Sequence, residues 1–196
     1  MKKKIKLNIT FNSPVVLGFA SICLVALILS MITRGRSNEL MFMTYHSSLL
    51  SPLTHIRFFT HVLGHADWAH FIGNMSYILL LGPMLEEKHG SSRIVKIILV
   101  TAFVTGLFHY IIFHKVALCG ASGVVFAFIL LTSFTNFREG ELPLTFILVA
   151  LIFIGQQIFE GFTVRDNVSN LSHIIGGIVG AVYGYGLNKK SRWSKR

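Results

Sequence analysis

Four polar side chains interrupt stretches of sequence that are otherwise apolar, and their types suit acyl-transfer chemistry. Ser122 stands in Gly120-Ala121-Ser122-Gly123, His173 heads a stripe of glycines, and His70 and Asn74 lie four residues apart. A serine beside an imidazole can form a nucleophile and base pair, and histidine and asparagine can donate N–H groups to an oxyanion. Each feature also has a plain structural reading. Gly-x-Ser-Gly recurs without catalysis, a lone membrane histidine is often a packed and hydrogen-bonded residue, and His70-x-x-x-Asn74 fits an interhelical polar clamp. Their coincidence at one depth favours chemistry. His70 lies sixteen residues before Glu86, Ser122 sixteen before Arg138, and His173 sixteen before Lys189. At about 1.5 Å per helical residue, each falls about 24 Å from that boundary, just below the far surface of a hydrocarbon core about 30 Å thick.

The elements that must hold these residues are membrane spans. Of 196 residues, 53% are hydrophobic and 13% charged, whereas a soluble domain carries about 25% charged residues. The apolar residues form long runs separated by short polar connections, which predicts an all-α polytopic membrane protein of a single domain. Six spans are expected, at 14–32, 70–85, 93–113, 122–134, 143–159 and 171–187. The first follows a basic N-terminal region but has no small-residue cleavage site, so it reads as a retained helix rather than a signal peptide. The fourth is too short to cross alone, so the fourth helix must start inside the membrane, with residues 115–120 dipping in as a loop. A helix N-terminus at Ser122 would also aim free N–H groups and a positive dipole end at the site. Behind His173, Gly176, Gly180 and Gly184 share one helix face, with Gly177 nearby. Small residues at that spacing let helices approach closely, which can bring the imidazole to a serine on the neighbour.

Charge sets the orientation. With both termini cytoplasmic, thirteen basic residues lie inside, in basic tails at 1–13 and 188–196 and in two short loops, against five outside. The positive-inside rule favours that arrangement. The formal net charge of +10 is concentrated in these tails, which read as lipid-facing anchors, with no nucleic acid partner. The long external connection 34–69 is rich in histidine and aromatic residues and is more than a linker. Cys23 and Cys119 offer neither a disulfide framework nor a CxxC metal site.

These motifs together resemble the rhomboid intramembrane serine proteases, in their compact bacterial six-helix form. The resemblance runs from about Arg57 to Gly186 and includes Phe59-Thr60-His61, His65, His70-Phe71-Ile72-Gly73-Asn74, Glu86 with Gly90, Gly120-Ala121-Ser122-Gly123, and His173-Ile174-Ile175-Gly176 with Gly180. It implies a Ser122–His173 dyad without an acidic third member, and an oxyanion site made of the Ser122 N–H, His70 and Asn74. It also implies no cofactor or metal, and transmembrane protein substrates that enter laterally from the lipid bilayer past the fifth helix and the loop 160–170. By the same resemblance 34–69 forms a hairpin partly in the outer leaflet, and the active site opens to the external face of the cell membrane. Gly120 and Phe126 are expected to support the dyad, Phe126 by stacking on His173 where the family usually has a tyrosine. Ile56 replaces a common tryptophan, Lys88 an arginine, and Cys119 a glycine beside the active loop.

Two other readings remain open at this stage. His61 and His65 at i, i+4, with His55 and His70 nearby, supply enough nitrogen for a zinc-dependent membrane hydrolase, although no His-Glu-x-x-His is present. A non-catalytic haem protein or membrane-protein-binding relative would use the same histidines as axial or structural groups.

Overall fold

The computed structural model describes residues 11–133, 144–163 and 167–193, with side chains at 154, 156–158, 160–169 and 188–193 excepted. The terminal basic residues, Arg138, Arg165 and the side chains of the expected gating loop 160–170 up to residue 169 therefore lie outside it. The described residues form seven α-helices: α1 (Pro14–Ile32), α2 (Pro52–Thr60), α3 (Trp68–His89), α4 (Ser91–Ile112), α5 (Ser122–Ser133), α6 (Leu144–Thr163) and α7 (Asn167–Trp193). Among them there is no strand, only an isolated antiparallel bridge between Thr44 and Leu118. The fold is all-helical, as the apolar runs predict. α1, α3, α4, α5, α6 and α7 overlap the apolar runs in sequence, and α2 arises within the connection 34–69.

α5 is the axis of the bundle. Gly123 through Leu131 are all buried, and α3, α4, α6 and α7 pack around it while α1 packs on α3 and α4. The outward faces remain apolar, with Val25 and Met31 on α1, Leu80 and Met84 on α3, Leu151 and Ile152 on α6, and Val182 on α7 all exposed. Polar groups such as Asn74, Glu86, Thr101, Thr105 and His109 are instead buried. A water-soluble protein does not leave such a belt bare. Among the described residues, α1 and α4 are long and apolar enough by themselves to cross a bilayer. α5 and the apolar part of α6, Leu144–Phe153, are shorter, and α3 and α7 carry the polar residues of interest.

One carboxylate fixes how α1 meets the rest. Pro14 opens α1, and the next two backbone N–H groups, of Val15 and Val16, donate to Glu86 Oε1 and Oε2 at 3.0 Å each. Glu86 also accepts from the Ser91 hydroxyl at 2.7 Å. A buried helix N-terminus with unmet donors is thus satisfied by a charge from α3 placed at its positive dipole end. Close approach occurs at Gly82, where an added Cβ would lie 2.7 Å from a Val16 methyl.

The connection 33–67 is a built substructure. Arg57 is buried, donates from Nε to the Leu40 carbonyl at 2.9 Å and lies over the Tyr45 ring at 4.5 Å. The arginine therefore anchors this segment although Ile56 precedes it. α2 is pressed onto α4 at Gly106, where a Cβ would meet the Phe58 carbonyl oxygen at 2.8 Å.

Candidate functional site

Ser122 begins α5 two residues after Gly120, whose φ of +124° few side-chain-bearing residues adopt. The Gly120 N–H donates to the His61 carbonyl at 2.9 Å, and Thr44 and Leu118 exchange two backbone hydrogen bonds of 2.9 Å. The loop before Ser122 is held by these bonds to the 33–67 segment. A Cβ on Gly120 would lie 2.6 Å from His70 Nε2 and 3.7 Å from Asn74 Nδ2. Glycine is required there for both the turn and the space, and the same contact shows that His70 and Asn74 reach the Ser122 loop.

α3 presents those two residues on one face. Asp67 caps the helix by accepting from the His70 N–H at 2.8 Å, so the position of His70 follows from the first turn. Asn74 is buried, and its Nδ2 has no hydrogen-bond partner among the described residues. His65 is fully buried and meets His70 edge to face, with ring centres 5.1 Å apart.

α7 brings the imidazole. A Cβ on Gly176 would lie 2.1 Å from the Gly123 carbonyl oxygen, and one on Gly180 would lie 2.1 Å from that of Ala127. The helices therefore touch backbone to backbone along the glycine stripe, as small-residue packing requires. His173, one turn before Gly176, stacks on Phe126 with ring centres 4.3 Å apart and planes 4° from parallel. Phe126 in turn meets Phe153 of α6 edge to face at 5.8 Å.

Ser122, His173, His70, Asn74 and Phe126 all line one cavity of about 510 Å³, with Cys119 and Tyr77 also in its wall. The six residues singled out in the sequence, Gly120 among them, thus converge. Tyr77 was not anticipated, although i+3 from Asn74 and i+7 from His70 is a legible stripe. The Thr44–Leu118 bridge carried no signal, because it pairs residues far apart in sequence.

Two histidines of the rival metal reading, His61 and His55, take partners apart from the His65–His70 pair. His61 Nε2 meets the Thr105 hydroxyl at 3.2 Å, and since that hydroxyl donates to Thr101 it accepts from the imidazole. His65 Nδ1 faces the Leu63 carbonyl at 3.1 Å, and His55 Nε2 faces that of Leu49 at 2.9 Å. Burial pushes both His61 and His65 down to about 4, so they stay neutral. Among the described residues no three His, Cys, Asp or Glu side chains gather as a metal site.

Comparison with known proteins places this geometry in context. A family model described as the Rhomboid domain matches residues 52–190. Rhomboid-related protein 1 of Caenorhabditis elegans is 34% identical over 138 residues, covering 66% of this chain and 39% of that protein. Rhomboid protease GlpG of Haemophilus influenzae is 25% identical over 155 residues, covering 77% of this chain and 80% of that protein. Rhomboid-related protein 2 of Mus musculus is 32% identical over 158 residues, covering 70% and 52% respectively. The chain thus spans about half or less of the length of the two rhomboid-related proteins, and four fifths of the bacterial protease.

Proposed function

The chain belongs to the rhomboid family of polytopic membrane proteins, and from that premise we propose that it is an intramembrane serine endopeptidase using Ser122 and His173. The observation that carries this reading is the shared cavity lined by Ser122, His173, His70 and Asn74. In the proposed reaction His173 takes the Ser122 hydroxyl proton as the oxygen attacks the scissile carbonyl. It then gives that proton to the leaving amine, and water hydrolyses the acyl-enzyme. The Ser122 N–H, His70 and Asn74 receive the developing oxyanion. The unpartnered Asn74 amide supports this role. A buried donor left unmet costs about 1–3 kcal/mol, and a negative oxygen in the cavity would satisfy it. The nearly parallel Phe126 ring fixes the plane of the imidazole.

In this reading α1, α3, α4, α5, α6 and α7 are the six spans, the termini are cytoplasmic, and the cavity opens to the external face. α5 starts within the membrane, where water in the cavity serves hydrolysis. Substrates are transmembrane segments that unwind near their outer end, since an intact helix hides its carbonyls in internal hydrogen bonds. They enter laterally between α3 and α6. That route is supported by the packing, for among the described residues the α6 backbone approaches α5 and α7 while no Cα of α6 lies within 8 Å of one in α3.

The test uses purified protein and a transmembrane test substrate. Ser122→Ala and His173→Ala abolish cleavage while the protein remains folded, and a fluorophosphonate labels wild type but not Ser122→Ala. Chelators leave the rate unchanged. Cleavage that survives Ser122→Ala, or that stops on metal removal, defeats the proposal.

A further inference from the structure

Beside the Thr44–Leu118 bridge, two histidines outside the cavity face each other. His46, on the 33–67 connection, and His114, just after α4, have ring centres 4.4 Å apart with planes inclined at 47°. His46 is held in place. Its Nδ1 lies 3.3 Å from the Tyr110 carbonyl oxygen, and its ring stacks on the Tyr110 phenol at 4.7 Å. Tyr110 is itself fixed, its hydroxyl donating to the Ser47 carbonyl at 2.6 Å. An imidazole that donates Nδ1–H to a carbonyl carries its lone pair on Nε2, which is how ligating histidines are commonly oriented. His114 is exposed, so its ring can turn toward a shared ion.

We propose that His46 and His114 form a two-imidazole site for a borderline divalent transition-metal ion such as Zn²⁺, with water completing the coordination. The spacing suits this. With metal–nitrogen bonds of about 2.0–2.1 Å, two imidazoles on one ion have ring centres about 4.5 Å apart at the right angle of an octahedral ion and about 5.2 Å apart at the tetrahedral angle, and a turn of the exposed His114 ring covers the difference. Neutral imidazoles select zinc, nickel or copper over calcium or magnesium, which prefer oxygen. Among the described residues no third His, Cys, Asp or Glu completes a metal site with them, so water fills the remaining positions at this exposed edge. An ion there ties the 43–47 segment to the loop that carries Val116 to Cys119 along the cavity wall. It acts as a clamp on the Thr44–Leu118 bridge, and it does not depend on the chemistry proposed for Ser122.

The experiment uses the full chain in detergent, stripped with a chelator and titrated with Zn²⁺, with Mg²⁺ as control. Zn²⁺ produces a saturable rise in the thermal midpoint, because an ion bound to the folded state alone stabilises it. It also slows amide exchange in peptides covering 43–47 and 113–121. His46→Gln, His114→Gln and His114→Ala lose both effects, whereas His55→Gln, which changes another exposed histidine, retains them. His114 lies at the surface, so its variants fold and their midpoints without metal match that of wild type. No rise in wild type, a rise of equal size in both His114 variants, or protection confined to other segments overturns the proposal.

Discussion

Asn74 stands between two roles, and its buried amide allows them to be separated. As an oxyanion donor it strengthens its bond chiefly in the transition state. Removing one such donor typically lowers kcat by about 10²–10³, with KM nearly unchanged because ground-state binding is hardly touched. As a polar clamp between membrane helices it would contribute about 1 kcal/mol to stability. Among the described residues Asn74 Nδ2 has no hydrogen-bond partner to clamp, so Asn74→Ala is expected to lose kcat without a matching fall in thermal midpoint. Both quantities measured on one detergent preparation decide it. A destabilised variant with near-normal kcat returns Asn74 to the structural role. At this scale the sequence was unusually legible, because a polar residue in an apolar run is costly enough to mark itself. Ser122, His173, His70 and Asn74 stood out on that ground. The partners that hold them did not. His61 receives the Gly120 N–H through its backbone carbonyl, and no side-chain type announces that bond.

Helices were legible as apolar runs, but their ends and contacts were set by neighbours. α3 begins at Trp68 rather than His70 because Asp67 caps it, and α7 runs past both ends of its apolar stretch, from Asn167 to Trp193. α2 escaped notice because its nine residues sit in a polar connection and are stabilised by packing on α4. The glycine stripe, by contrast, named its own function, and it makes a quantitative prediction. A methyl at Gly176 would sit 2.1 Å from the Gly123 carbonyl, whereas one at Gly186 meets nothing within 4 Å. Gly176→Ala must therefore push α7 away from α5 near His173. A misplacement of about 1 Å at a catalytic pair can cost about 10²-fold in rate. Gly176→Ala is expected to lose at least that much activity and to lower the thermal midpoint, and Gly186→Ala to change neither. If both variants behave alike, the stripe is not what positions the base.

For the molecule as a whole, the proposed cytoplasmic termini would place thirteen basic residues inside and five outside. Reporter fusions at residue 115 and at the C-terminus are expected to report opposite compartments. The same side for both removes the six-span arrangement. The packing adds what charge counting had no means to show. A second hollow of about 240 Å³ lies among α3, α5 and α6, and it shares Tyr77 with the site cavity. Its wall is mostly apolar, from Leu80 and Leu81 on α3, Ile129 on α5, and Val149 and Phe153 on α6, with Thr132 and Ser133 at the end of α5. Among the described residues the backbones of α3 and α6 flank this hollow with no Cα of one within 8 Å of a Cα of the other, so in the proposed reading a transmembrane segment slides between them with its outer end reaching Ser122. A small reagent reaching the cavity from water has no need of that path, and the two routes predict different responses to one substitution. Val149→Trp fills the hollow with an indole and leaves every residue of the site cavity unchanged. Cleavage of a transmembrane test substrate is then expected to fall at least tenfold, which corresponds to about 1.4 kcal/mol, while fluorophosphonate labelling of Ser122 proceeds at the wild-type rate. Equal loss of both would mean that the indole distorts the site itself. Loss of neither would mean that substrates reach Ser122 by another way.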